Sequence, residues 1–161
     1  MATSGIDPVV ESIRLPTAYG TPSKLLSWRE VDERLGTALH YWLVTTRSDG
    51  RPHVVPVDGI WLDRACYFGG APETVHARNL TADPRAALHL DDSEAATIAE
   101  GVAEVHSPTP EFADELDASA RKKYGYSPGA AVYLGGVWRL RPTRVLAWTR
   151  LDRDATRFRF S

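Results

Sequence analysis

The sequence predicts a mainly β protein in which antiparallel strands form a closed or split barrel. Short runs of aromatic and β-branched residues recur along the chain, and tight turn signals such as Ser48-Asp49-Gly50 separate them. Only three segments have helical periodicity, and they lie between the strand-like runs. The 161 residues suffice for one domain with its own core.

The chain begins with a segment that has no clear period. Residues 1–26 contain three prolines, so we expect an irregular N-terminal arm, with residues 27–161 forming the barrel domain. Ser27 and Glu30 form the pattern of a capping box, in which each side chain satisfies an unpaired backbone N–H group. A helix is therefore predicted over residues 28–40.

The remaining elements follow from periodicity and turn chemistry. Two further helices are predicted, over residues 73–82 and 110–124. The predicted strands cover residues 41–46, 53–61, 65–69, 85–91, 96–107, 132–140, 145–151 and 156–160. Pro56 cannot donate to a strand ladder, so we expect it at a sheet edge or a bulge.

Composition narrows the class of protein. The formal net charge is −2, which does not favour nucleic-acid binding. Cys66 is the only cysteine, so no intramolecular disulfide can form and a reducing compartment is expected. The first fifteen residues lack a signal-peptide pattern, and no apolar run approaches the roughly 20 residues that span a bilayer. These features together predict a cytoplasmic protein with no membrane partner.

Common catalytic motifs do not occur in the sequence. It contains no P-loop, no G-x-S-x-G elbow, no C-x-x-C and no H-E-x-x-H. The five histidines are scattered over different predicted elements, so no metal site is expected. No residue can be named as catalytic on this basis.

One segment has the character of a phosphate cradle. Gly69 and Gly70 follow a strand, which lets the backbone approach a ligand closely, and a helix N-terminus that attracts anions comes next. Thr74 offers a hydroxyl group, and His76 and Arg78 can donate charge-assisted hydrogen bonds. From spacing alone, an ordinary strand-to-helix connection with a solvated arginine is the favoured explanation of the segment.

Five ordered segments extend this interpretation: DGRPHVVPV, YFGG, HARNLTADPRAALHL, TIAEGVAEV and VYLGGVWRLRPTRVLAWT. Their order and spacing resemble the flavin-binding split barrels of the pyridoxamine phosphate oxidase superfamily, over roughly residues 27–160. The resemblance implies an antiparallel split β-barrel that forms a homodimer, with the cofactor at the subunit interface. The chain lacks the C-terminal signature of true pyridoxamine phosphate oxidases, so vitamin B6 oxidation is not expected.

The resemblance also implies a cofactor site. Its cation positions fall on His53 and His76, which are weaker fixed cations than lysine or arginine and would make phosphate binding weaker or dependent on pH. Arg78 and Asn79 would complete the phosphate end. The backbone of Val54, Val55, Pro56 and Val57 would run beside the flavin ring. Among the tryptophans, Trp138 and Trp148 are the candidates for stacking on a flat cofactor.

Three functions remain open at this point. The first is an FMN-dependent oxidoreductase that acts on a small molecule. The second is a reductase that uses the deazaflavin coenzyme F-420, whose long anionic tail would need a basic groove involving Arg51, Arg78 and Arg85. The third is a non-enzymatic protein that binds flavin or haem.

Overall fold

The computed structural model describes residues 7–161, which form eight strands and five short helices. The strands are β1 (Val9–Ser12), β2 (His40–Thr46), β3 (Pro52–Leu62), β4 (Ala65–Phe68), β5 (Arg85–His89), β6 (Thr97–His106), β7 (Val137–Ala147) and β8 (Thr156–Arg159). The helices are α1 (Trp28–Thr37), α2 (Val75–Ala82), α3 (Pro110–Tyr124), α4 (Ala130–Leu134) and α5 (Leu151–Asp154). Among residues 7–161, no helix has the length and apolar character needed to cross a bilayer.

The strands form a single antiparallel sheet that closes on itself. Their order is β1-β8-β7-β4-β3-β2-β5-β6, and an additional pairing joins β6 to β7. Six strands, from β7 through β4, β3, β2 and β5 to β6, therefore complete a barrel. The edge of β7 that does not pair with β6 pairs with β4 at residues 138–140 and with β8 at residues 144–147, so β8 and β1 extend outward from the barrel. The predicted antiparallel barrel is confirmed.

The two halves of β3 have different neighbours. Residues 52–58 pair with β2, whereas residues 59–62 pair with β4. Among the described strands, none pairs with the other edge of the first half. Pro56 lies in this half, opposite Trp42, where one edge of β3 has no partner among the described strands. The expectation of an edge position is confirmed.

Apolar side chains fill the barrel and one layer outside it. The largest fully buried side chains of the barrel core include Tyr41, Leu43, Leu88 and Phe158. They come from alternate positions of their strands, as one buried sheet face requires. A second cluster packs the apolar stripe of α3, including Leu116, against the outer surface of β3, β4 and β7.

The predicted capping box at α1 is present. The Glu30 N–H group donates to Ser27 Oγ at 3.3 Å, and the Ser27 N–H group donates to Glu30 Oε2 at 2.9 Å. The helix ends at Thr37, three residues earlier than predicted, because His40 already begins β2.

The prediction of an irregular arm over residues 1–26 is wrong for part of its described length. Residues 9–12 form β1, which pairs with β8 from Val9 opposite Arg159 to Ser12 opposite Thr156. Both Val9 and Val10 are exposed, so this outer strand has no buried face that would produce an apolar alternation in the sequence. Residues 1–6 lie outside the described part of the chain.

The predicted strands over residues 132–140 and 145–151 are also corrected. The first range begins in α4 and the second ends at the start of α5, and the single strand β7 joins the parts between them, from Val137 to Ala147. Pro142 lies within this strand, opposite Gly101, where the β6–β7 register shifts. A Cβ at Gly101 would overlap the backbone carbonyl oxygen of Arg141, so a glycine is needed there. The proline thus falls at an irregularity that already disrupts the ladder.

Candidate cofactor cleft

A cleft of about 610 Å³ opens at the end of β4, between α2 and the beginning of β7. Four of the sequence-predicted site residues line it: Gly69, Gly70, Arg78 and Trp138. The other lining residues include Phe68, Thr81, Val105, Gly135 and Gly136. Of the described residues that line the cleft, Arg78 alone is ionisable. The cleft is therefore an apolar cavity with one cation on its wall.

The two glycines after β4 have different roles. A Cβ at Gly70 would overlap Nε2 of His76 and lie 3.1 Å from its Cδ2, so the missing side chain makes room for the imidazole ring. A Cβ at Gly69 would have no heavy atom within 4 Å among the described residues outside its own neighbourhood. Gly70 is therefore required by packing, while Gly69 leaves open space that a ligand can approach.

Thr74 begins α2 as its N-cap residue. Its hydroxyl oxygen accepts a hydrogen bond from the Ala77 N–H group at 3.3 Å, and its hydroxyl group donates to the Ala71 carbonyl at 2.8 Å. The first N–H groups of a helix lack intrahelical acceptors and attract anions. His76, 8% exposed, lies in this first turn, with Nε2 3.2 Å from the Gly69 carbonyl oxygen. The segment thus has the donor groups of a phosphate site.

His53 lies near this helix end, on the half of β3 that pairs with β2 and has no partner strand on its other edge among the described strands. Its Nδ1 is 3.2 Å from Nη2 of Arg47. Burial lowers the pKa of His53, and the positive charges of Arg47 and His76 lower it further. The structure therefore brings His53 and His76 close enough for their charges to interact. At neutral pH His53 is a neutral ring that accepts from Arg47, and Arg47 supplies the fixed cation.

Arg47 was missed by the sequence analysis. It lies in the tight connection between β2 and β3, where its N–H group donates to the Arg51 carbonyl at 2.9 Å. The hairpin register places Thr45 opposite His53, so Arg47 can reach across to the histidine. The Asp49-Gly50 turn was the available signal, because turn type sets the register of a hairpin.

Arg78 and Asn79 point to different surroundings. The Arg78 side chain is exposed and has no ion pair with a described residue, so it is free to bind an anion in the cleft. Asn79 is buried, and its Nδ2 donates to Thr45 Oγ1 at 2.9 Å. This hydrogen bond fixes α2 to β2. The structure places Arg78 on the cleft and Asn79 on the barrel side of the helix.

The segment from Val54 to Val57 lies along the unpaired edge of β3, and none of its four residues lines the cleft. Val55 and Val57 pack on the barrel core, while Val54 and Pro56 face outward. Gly59 is the first residue of β3 that pairs with β4, and it lies opposite Phe68, the last residue of β4. The connection that begins at Gly69 therefore starts beside the point where this edge of β3 loses its partner strand. Backbone groups of this edge are therefore available to a ligand.

The two tryptophans are far apart within one chain. Trp138 is 9% exposed and lines the cleft, at the beginning of β7. Trp148 follows the other end of that strand, about 30 Å away at roughly 3.3 Å per residue. The structure brings Trp138, and not Trp148, to the cleft of its own chain.

Comparison with known proteins assigns most of the barrel domain to one family. The family model described as pyridoxamine 5′-phosphate oxidase matches residues 27–149. A search of curated proteins finds no match to this chain.

Solved structures of similar fold have names that refer to different ligands. A haem binding protein from Mycobacterium smegmatis is 23% identical, with a TM-score of 0.61, over 89% of this chain and 59% of that chain. An F-420 reductase is 24% identical, with a TM-score of 0.54, over 71% of this chain and 94% of that chain. A FAD-binding protein from Mesorhizobium loti is 17% identical, with a TM-score of 0.59, over 84% of this chain and 96% of that chain. At these identities the likeness shows the fold alone.

Proposed function

This chain belongs to the pyridoxamine 5′-phosphate oxidase family, and from that membership we propose that it is an FMN-dependent oxidoreductase acting on a small molecule. The observation that carries the proposal is the junction of β4 and α2. There, open backbone at Gly69, a helix N-terminus capped by Thr74, the buried imidazole of His76 and Arg78, which has no ion pair with a described residue, occur together. These groups would bind one terminal phosphate and leave room for a flat ring beside it.

The residues present fit such a cofactor. Gly69 leaves space that a Cβ would fill, and the free edge of β3 at residues 54–57 offers backbone donors and acceptors to a ring. Arg78 and the first N–H groups of α2 would bind the phosphate. When bound, the flavin supplies the hydride donor and acceptor. The protein positions the ring, neutralises the phosphate and provides the apolar cleft, so no acid or base from this chain is required.

The distribution of arginines favours FMN over the deazaflavin. Of the three arginines expected to form a wide basic groove, Arg51 pairs with Asp49 at 2.8 Å and Arg85 pairs with Asp83 at 2.7 Å. In both pairs the carboxylate lies two residues from the arginine and neutralises its charge. Of the three arginines, only Arg78 has no ion pair with a described residue. A single free cation suits one phosphate group better than the long anionic tail of coenzyme F-420.

The deazaflavin stays the second candidate, supported by the similar fold of the F-420 reductase. Titrating the cofactor-free protein with FMN and with coenzyme F-420 separates the two. We expect tighter FMN binding, and we expect Arg78→Ala to weaken it about tenfold or more, because a charge-assisted hydrogen bond contributes about 1.5–3 kcal/mol. Arg51→Ala is the matched control and should leave FMN binding unchanged. Tighter binding of coenzyme F-420, weakened by Arg51→Ala, would reverse the assignment.

Turnover decides between an enzyme and a cofactor carrier. The FMN-loaded protein should oxidise a reduced nicotinamide continuously when a small-molecule acceptor is present. Stable binding of flavin or haem without any turnover would support the non-enzymatic alternative instead.

We further propose that the chain forms a homodimer through the outward face of β2 and β3, with the cofactor between the subunits. Trp42 pairs with Pro56 and Val44 pairs with Val54 on this face, and Val54 is 50% exposed. A row of apolar side chains that ends at the free edge of β3 suits an interface next to the cleft. Light scattering should give a dimer for the native chain and a monomer for Val54→Asp. Val9→Asp, on β1, should remain dimeric.

A further inference from the structure

The wall of the cleft opposite Arg78 is built without charge. Phe68, Val105, Gly136 and Trp138 form it, and we call these four residues the apolar wall. The sequence from Gly125 to Trp138 contains no charged residue, although a quarter of the whole chain is charged. The apolar character therefore extends from the cleft into α4.

Strand alternation keeps nearby charges off this wall. Trp138 pairs with Phe68 on β4 and with Val105 on β6, so the three side chains share one face of the sheet. The next cross-strand pair, Arg139 and Glu104, faces the opposite side, where the two side chains form an ion pair. The register of these strands thus separates the apolar wall from the charged residues that adjoin it in sequence.

His106 also points away from the cleft. Its ring lies 6.0 Å from the Tyr67 ring and 6.3 Å from the Phe112 ring, under the first turn of α3. It therefore belongs to the outer layer, with Arg139.

Val105 is the exposed member of the apolar wall. Its side chain is 61% exposed, although it lies on a strand within the barrel. A Cβ at Gly136 would lie 3.1 Å from Val105 Cγ1, and Gly136 has a φ of +117°, which disfavours other residues. The glycine therefore leaves one side of Val105 open toward the cleft. A ligand in the cleft would cover this valine.

The two walls of the cleft favour ligand groups of different charge. A charged group against the apolar wall would lose its hydration and meet no opposite charge, which is unfavourable. Arg78, on the other wall, accepts an anion. On the basis of the proposed function, which assigns Arg78 to the cofactor phosphate, we propose that the substrate presents an uncharged, apolar ring or chain to the apolar wall. Val105 and Gly136 then determine specificity.

Calorimetric titration with two flat ligands of similar size tests this assignment. Naphthol and naphthalene sulfonate differ mainly in charge, and both are titrated into FMN-saturated protein. We expect naphthol to bind about tenfold tighter or more, since one unpaired buried charge costs at least that much. Val105→Asp should remove most of the naphthol binding, and Val105→Lys should shift the preference toward the sulfonate. Val9→Asp, which changes a valine that is 55% exposed on β1, should have no effect.

Equal or tighter binding of the sulfonate to the unsubstituted protein would overturn the proposal, as would equal effects of Val105→Asp and Val9→Asp. The same titrations are repeated on cofactor-free Arg78→Ala protein, in which the sulfonate has no cation to bind. If FMN does not bind at all, the proposed function fails, whereas the preference for naphthol in this variant still tests the apolar wall separately.

Discussion

The imidazole of His76 occupies the space that a side chain at Gly70 would fill. Its Nε2 would overlap a Cβ on Gly70, and the same nitrogen is 3.2 Å from the carbonyl oxygen of Gly69. The glycine pair therefore does two things. One glycine lets the histidine pack beneath the strand-to-helix connection, and the other leaves the surface above it open.

The pair Gly70→Ala and Gly69→Ala separates these roles. Gly70→Ala should displace His76, lower stability by about 1–3 kcal/mol through overpacking, and weaken FMN binding. Gly69→Ala should keep the stability of the native protein and weaken FMN binding only by obstructing its approach. Thermal unfolding and FMN titration of both variants provide the test. Equal stability of the two variants would contradict the packing role of His76.

The pKa of His53 predicts a pH dependence of cofactor binding. Burial, and then Arg47 and His76, lower this pKa, so the ring is neutral at pH 7 and its protonation at lower pH adds a cation near the phosphate. FMN affinity should therefore rise as the pH falls from about 7.5 to 5.5. Without ligand the sign is opposite: the unfolded chain binds this proton more tightly, so stability decreases as the pH falls through the ordinary histidine range.

His53→Gln is the control for that experiment. Protonation of the phosphate itself, near a pKa of about 6, affects both proteins equally. The difference between their affinity–pH curves isolates the histidine. Identical curves would show that His53 does not contribute to phosphate binding.

The lowered pKa of Asp154 predicts that the folded protein loses stability in acid. Burial raises its pKa, but hydrogen bonds from the Thr149 hydroxyl, the Arg150 and Thr149 N–H groups and the Arg153 guanidinium outweigh burial and hold the pKa well below its usual range. The backbone nitrogens of Arg150 and Thr149 lie 3.0 Å and 2.7 Å from Asp154 Oδ1, respectively. Because the folded-state pKa is depressed, this stabilisation is complete above the unfolded pKa of about 4 and is lost as the pH falls further.

Urea unfolding from about pH 6 to pH 3 measures this effect. Asp154→Asn should destabilise the protein by about 3 kcal/mol at pH 6 and flatten the pH dependence, because it removes a buried charge with its partners in place. Asp152→Asn, in the exposed pair with Arg150, should change stability by no more than about 0.5 kcal/mol. Parallel pH curves for Asp154→Asn and the native protein would contradict the assignment.

Tyr124 fixes the end of α3 to the point where β3 changes neighbours. Its hydroxyl oxygen accepts from the Gly59 N–H group at 2.9 Å and lies 2.6 Å from the Leu39 carbonyl oxygen. Tyr124→Phe should cost about 1–3 kcal/mol, because it leaves backbone groups without partners. Tyr126→Phe, at a residue that is 70% exposed, should have little effect on the urea midpoint. A similar midpoint for both variants would show that the hydroxyl contacts are not stabilising.

Local features were predictable from the sequence. Ser27 and Glu30 identified the start of α1, the Asp49-Gly50 turn identified the β2–β3 hairpin, and the glycine pair at 69–70 identified the approach to α2. Each depends on the chemistry of residues that are close in the chain, because a cap or a tight turn needs only its own neighbours.

Tertiary structure decided which of these features meet. Closure of the barrel places Val105 and Phe68 on either side of Trp138 and carries Trp148 to the other end of the same strand. The register of the hairpin, rather than residue type, makes Arg47 the cation beside His53. Pairings between distant segments depend on register and closure, which periodicity does not specify. The sequence thus identified the glycine pair and the helix start at the junction of β4 and α2, whereas the apolar wall followed only from the folded barrel.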